Sequence, residues 1–149
     1  MTRRLVFIAV FAVLAVAGLG ARAADPVETF IRHAENPAQF DPADFDQAFR
    51  GEYYDGVRNL TFNRDQMITQ ALHVKAMLTD YQLVSLKILN RQTSGNITNV
   101  TYLARTKAKV HGAFYSVVYR VTARLRAGGP NGFVWLNQVT KQLHDNDRS

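Results

Sequence analysis

The chain has 149 residues, which suits one domain with a real hydrophobic core. It is 47% hydrophobic and 20% charged, with a formal net charge of +6. Cysteine is absent, and that excludes disulfides, thiolate metal sites, a cysteine nucleophile and a lipidated cysteine together.

The chain begins Met1-Thr2-Arg3-Arg4, followed by an unbroken apolar run from Leu5 to Leu19 and then Gly20-Ala21-Arg22-Ala23. A basic start, an apolar centre and a small-x-small end are the three parts of a secretory signal peptide. Cleavage is expected after Ala23, leaving one domain over residues 24–149 in the periplasm or secreted. The apolar run is shorter than the roughly 20 residues a spanning helix needs. Arg3, Arg4 and Arg22 leave with the leader, which halves the net charge from +6 to +3. The remainder is polarised. Residues 24–80 carry ten acidic and five basic side chains, and residues 81–149 carry ten basic and two acidic.

Asp25-Pro26-Val27-Glu28 predicts a helix start, with a capping aspartate, a first-turn proline and a capping-box glutamate. Val27, Phe30, Ile31 and Ala34 form its apolar stripe, and it should stop near Asn36-Pro37. Asp41-Pro42-Ala43-Asp44 predicts a second helix with Phe45, Ala48 and Phe49 on one side, ended by Gly51. Tyr53 to Thr61 is expected to be a loop or short irregular element. Asn63-Arg64-Asp65-Gln66 opens a third helix, on which Met67, Ile68, Ala71, Leu72, Lys75 and Leu78 recur at three and four.

From Tyr81 the period changes to two. Strands are predicted over residues 81–90, 97–110, 114–126 and 133–143, joined by turns at Thr93–Asn96, Gly112 and Ala127–Gly132. On the third, Tyr115, Val117, Tyr119, Val121, Ala123 and Leu125 share one face. Arg120, Arg124 and Arg126 share the other. On the second, Arg105, Lys107 and Lys109 alternate with Ala104, Thr106 and Ala108. If the two strands are neighbours, six cations share an outer face.

The helices come first and the strands after. The capped third helix (Asn63 to Leu78) leads straight into Tyr81-Gln82-Leu83-Val84-Ser85-Leu86, and a late Gly-rich turn precedes Phe133-Val134-Trp135-Leu136. In these features the chain resembles the nuclear transport factor 2-like (cystatin-like, SnoaL-like) superfamily over essentially all of residues 24–149. The resemblance implies an α+β cone, with three N-terminal helices packed in a curved antiparallel four-stranded sheet and a pocket at its open end. It concerns architecture, because the superfamily includes ketosteroid isomerases, dehydratases, polyketide cyclases and non-catalytic binding or assembly domains.

The isomerase members place carboxylates on the sheet, whereas no Asp or Glu occurs here between Tyr81 and His144. The interior is therefore expected to offer hydrophobic shelter without a strand-borne acid. Tyr53, Tyr54, Asp55 and His73 form an alternative catalytic set for a cofactor-independent, dehydratase-like lyase or isomerase; as packing and surface residues they need no such role. Tyr102, Tyr115, Tyr119 and Trp135 are the candidate ligand-pocket residues. The four histidines lack ligand spacing, and no phosphate loop or dinucleotide fingerprint occurs, so neither metal nor cofactor is expected. Arg105, Lys107, Lys109, Arg120, Arg124 and Arg126 make the basic face. It suits an anionic partner outside the cytoplasm or a homodimer contact, and nucleic acid is not expected after export. The leading expectation is an exported, non-catalytic domain that binds a small apolar ligand or an envelope protein.

Overall fold

The structure, a computed structural model, describes residues 25–143. The expected leader and its cleavage site lie outside the described residues. Helix α1 (Pro26–Ala34) forms where the sequence predicts it, with Asp25 accepting from Val27 N at 3.0 Å. Glu28 does not close a capping box; it pairs instead with Arg32, one turn on, at 2.9 Å. The buried stripe is Val27, Phe30 and Ile31. The Phe30 ring stands 5.6 Å from both Phe133 and Trp135, centroid to centroid.

The expected second helix does not form. Residues Pro37–Gln39 and Pro42–Asp44 each make one 3-10 turn, and the chain then runs as strand β1 (Phe45–Tyr54) into a short β2 (Asn59–Asn63). The misleading signal was Phe45 and Phe49, whose spacing suits one face of a helix. An interval of four also suits one face of a strand, and both rings are buried in β1, although the pairing with β6 shifts register between Phe45 and Arg50. From Phe49 onward the alternation is of period two: Phe49 and Gly51 are buried and Tyr53 is half-buried, while Arg50 and Glu52 are exposed. Asp46 Oδ2 supports the distortion by accepting from Ala48 N at 3.0 Å.

Helix α2 (Arg64–Met77) has the predicted start, with a reciprocal Asn63–Gln66 capping box at 2.9 Å each way. Its inward line is Met67, Ala71 and Val74, narrower than the predicted face, and Leu72 and Lys75 point to solvent. None of its residues is buried. It lies over the cone without being sunk into it.

Strands β3 (Leu78–Ser94), β4 (Ile97–Val110), β5 (Ala113–Ala127) and β6 (Phe133–Leu143) are the four predicted strands, with β3 three residues longer at its start and four at its end, where it takes in the first half of the expected turn. The described residues thus form an α+β domain with two α-helices and one six-stranded mixed sheet, ordered β2-β1-β6-β5-β4-β3. Only the β1–β6 pairing is parallel. Register shifts at three places along β3 bend it around the core. The first lies at Asp80, a non-glycine residue with φ of 53°.

Because β1 and the start of β3 belong to the sheet, the sheet does carry acids: Asp46, Glu52 and Asp80. Asp46 pairs with Arg126 at 3.0 Å and Asp80 with Lys109 at 3.2 Å. None of the three lines the cavity described below. Asp44, only 1% exposed, ties three segments together. It accepts from His33 Nε2 on α1 and from Asn131 Nδ2 in the Gly-rich turn, both at 2.8 Å.

Candidate functional site

The concave side of the sheet, α1 and α2 enclose a cavity of about 810 Å³. Its wall is mostly apolar, with Phe40, Phe45, Phe62, Met67, Val121 and Trp135 among the contributors. Strand parity puts Val117, Tyr119 and Val121 of β5 on this wall and sends Arg120 and Arg124 outward. Gly51 lets β1 approach it closely. The Phe62 ring lies across that glycine, and a Cβ there would come within 2.2 Å of the ring.

The acid in this cavity is Glu35, and the sequence reading missed it. Glu35 is the C-cap of α1 and lines the cavity. The buried stripe sets the helix rotation, and Glu35 falls one turn beyond Ile31 on the same side. Tyr102 and Tyr119 come from inward positions of neighbouring strands, where Ala104 pairs with Tyr119 and Tyr102 with Val121. Tyr102 OH donates to Glu35 Oε1 at 2.5 Å, and Tyr119 OH donates to Oε2 at 2.9 Å. Burial pushes the Glu35 pKa above the usual carboxylate range, and the two phenolic donors only partly offset this. Burial, followed by the nearby Glu35 charge, raises the Tyr102, Tyr119 and Tyr81 hydroxyls.

Two donors on the same wall have no hydrogen-bond partner among the described residues. Tyr81 OH, beside Tyr119, and Trp135 Nε1 are both buried without a hydrogen bond. An unpaired buried donor costs about 1–3 kcal/mol, and the indole N–H can only donate. A ligand with an acceptor atom would satisfy either one.

Of the expected catalytic set, only Tyr53 reaches the cavity. Its hydroxyl donates to Gln142 Oε1 at 2.7 Å. Tyr54 lies on the other face of β1, 40% exposed, and donates to Gly56 O at 3.1 Å. Asp55 accepts from Arg58 N at 2.7 Å and Val57 N at 2.9 Å, holding a turn, and those bonds keep its carboxyl below the ordinary range. His73 is on the exposed side of α2. The four do not converge.

Of the expected pocket residues, Tyr119 and Trp135 line the cavity, while Tyr102 is fully buried behind Glu35. Tyr115 is 58% exposed at the far end of β5. The six basic residues do share the outer face. Lys107 and Lys109 each place Nζ 4.6 Å from the Phe114 ring centroid, and Lys109 and Arg126 meet Asp80 and Asp46. Arg105, Arg120 and Arg124 form no ion pair among the described residues.

No family model and no curated protein matches the sequence. Solved structures do match. A ketosteroid isomerase-like protein from Erwinia carotovora atroseptica SCRI1043 superposes with a TM-score of 0.52 at 18% identity, over 84% of this chain and 93% of that one. The β subunit of benzoate 1,2-dioxygenase from Burkholderia mallei ATCC 23344 gives 0.59 at 13% identity, over 85% and 93%. A nuclear transport factor 2-like protein from Silicibacter pomeroyi DSS-3 gives 0.51 at 13%, over 86% and 98%. The fold is nuclear transport factor 2-like. At these identities the likeness is one of architecture alone; in the nuclear transport factor 2-like cone of this chain, Glu35 is the acid that lines the cavity among the described residues.

Proposed function

We propose that this is an exported domain, periplasmic or secreted, whose cone binds a small, largely apolar ligand without transforming it. The observation that carries the reading is the pair of unpartnered buried donors, Tyr81 OH and Trp135 Nε1, on the wall of a cavity large enough for such a ligand. Trp135 is the only tryptophan in the chain, so its fluorescence reports directly on occupancy. Titration with small carbonyl-bearing hydrophobes should shift the emission and saturate. An emission unmoved by every such compound would count against the reading.

One observation favours a second reading, a cofactor-independent lyase or isomerase. Glu35 is a half-buried carboxyl with raised pKa on the wall of a mostly apolar cavity, a state suited to proton transfer. Turnover of an activated ketone or alcohol, abolished in Glu35→Gln while ligand binding persists, would favour the enzyme over the carrier. Outside the cone, the basic face is proposed to meet an anionic envelope partner.

A further inference from the structure

Among the described residues the cavity wall carries an acid and no base: Glu35 is its sole carboxylate, and no Lys, Arg or His lines it. The titratable groups facing Glu35 are three phenols: Tyr102 of β4, Tyr119 of β5 and Tyr81 of β3. Two of them donate to the carboxylate, which stabilises the charge without neutralising it. The basic side chains just before Glu35 are engaged elsewhere, His33 with Asp44 and Arg32 with Glu28. Being the C-cap of α1, Glu35 also stands at the partially negative end of that helix. A half-buried carboxylate on an apolar wall is costly to ionise without a cation.

The surroundings suit one remedy. Phe40, Phe45, Tyr53, Tyr81, Tyr119 and Trp135 all contribute to the wall, and aromatic faces attract cations. An anionic ligand would meet a like charge. A neutral ligand would leave Glu35 uncompensated or force it to hold a proton. The protein's own surplus of cations stands on the opposite side of the sheet.

We propose that the cone is a site for an organic cation, a small amine or quaternary ammonium compound whose positive nitrogen lies against Glu35 and whose acceptor oxygen meets Tyr81 or Trp135. The inference rests on the cavity-binding reading above and adds the charge of the ligand to it. Protonating Glu35 removes the attraction. A quaternary nitrogen, which does not titrate, should therefore bind more weakly as pH falls through the raised Glu35 pKa.

Two pairs of probes matched in shape separate charge from fit: acetylcholine with 3,3-dimethylbutyl acetate, and benzoylcholine with 3,3-dimethylbutyl benzoate. Each is titrated into the purified full-length protein and followed by Trp135 fluorescence and calorimetry. At neutral pH each cation should bind at least about tenfold more tightly than its carbon analogue. That advantage should shrink in acid and vanish in Glu35→Gln. The acid series uses the unaltered protein, so it stands even if the variant fails to fold. Equal affinity within both pairs would overturn the cation assignment and leave the cavity reading in place. Failure of all four to bind would overturn both.

Discussion

Glu35 shows how one side chain's surroundings decide its chemistry. Its folded pKa is raised above the ordinary value of 4.5, chiefly by burial. The stability tied to it is therefore fully present below the unfolded pKa and is lost as pH rises through the folded one. Asp25 behaves oppositely. The Arg91 guanidinium, whose Nη1 donates to its carboxylate at 2.8 Å, holds it low, so its stabilisation is present above the unfolded pKa and fades in acid. Denaturant midpoints measured from pH 4 upward should fall as Glu35 ionises, and Glu35→Gln should flatten that slope. Replacing Tyr102 with Phe removes a donor to this carboxyl and should cost about 1.5–3 kcal/mol when Glu35 is ionised, with a smaller loss in acid. A pH-independent cost would contradict the charged state argued for Glu35. The sequence did hold a signal for this residue, since Glu35 follows Ile31 by four. Strand alternation carries no information about it, because this acid caps the helix that plugs the strands.

Among the elements, the strands after Tyr81 were legible because alternation survives wherever one face is buried and the other wet. Tyr119, Val121, Ala123 and Leu125 lie inward as the pattern requires. Strand β1 was illegible for an equally physical reason. Phe45 and Phe49 are four apart, an interval that fits one face of a strand and of a helix alike, and the exposed Gln47 between them breaks the alternation that would have told the two apart. Helix α1 is the plug on which the cone depends, and Phe30, packed against Phe133 and Trp135, is its anchor. Phe30→Ala should destabilise by about 3–5 kcal/mol in chemical unfolding. Gly51→Ala tests the close approach of β1. The added methyl must displace the Phe62 ring, so a loss of about 1–3 kcal/mol is expected, together with altered ligand affinity, because Phe62 lines the cavity. Full stability with unchanged affinity would mean that the ring has another place to go.

At the scale of the whole molecule, the uneven charge of the sequence is resolved into layers. Acidic residues cluster in the helical half and the first strand, while basic ones line the convex side of β4 and β5. Arg120 stands opposite Lys141 of β6 and Leu103 of β4, and neither neighbour offers it an acid. If this face meets an anionic envelope surface, Arg120→Glu with Arg124→Glu should release the protein from isolated envelopes while leaving its unfolding midpoint within about 0.5 kcal/mol. Retention unchanged by the double substitution would assign those cations to solubility alone. Among the described residues no helix is long and apolar enough to cross a membrane. What the sequence conveyed at this scale was the order of elements and the sidedness of β4 and β5. The contents of the cone were hidden because they come from α1, β3, β4, β5 and β6 at once. The most direct test of the central claim is native mass spectrometry of the protein isolated from its own compartment. A small organic mass that stays bound in the folded ions and departs on denaturation is the expected result. A bare polypeptide mass, with Trp135 emission indifferent to added hydrophobes, would contradict it.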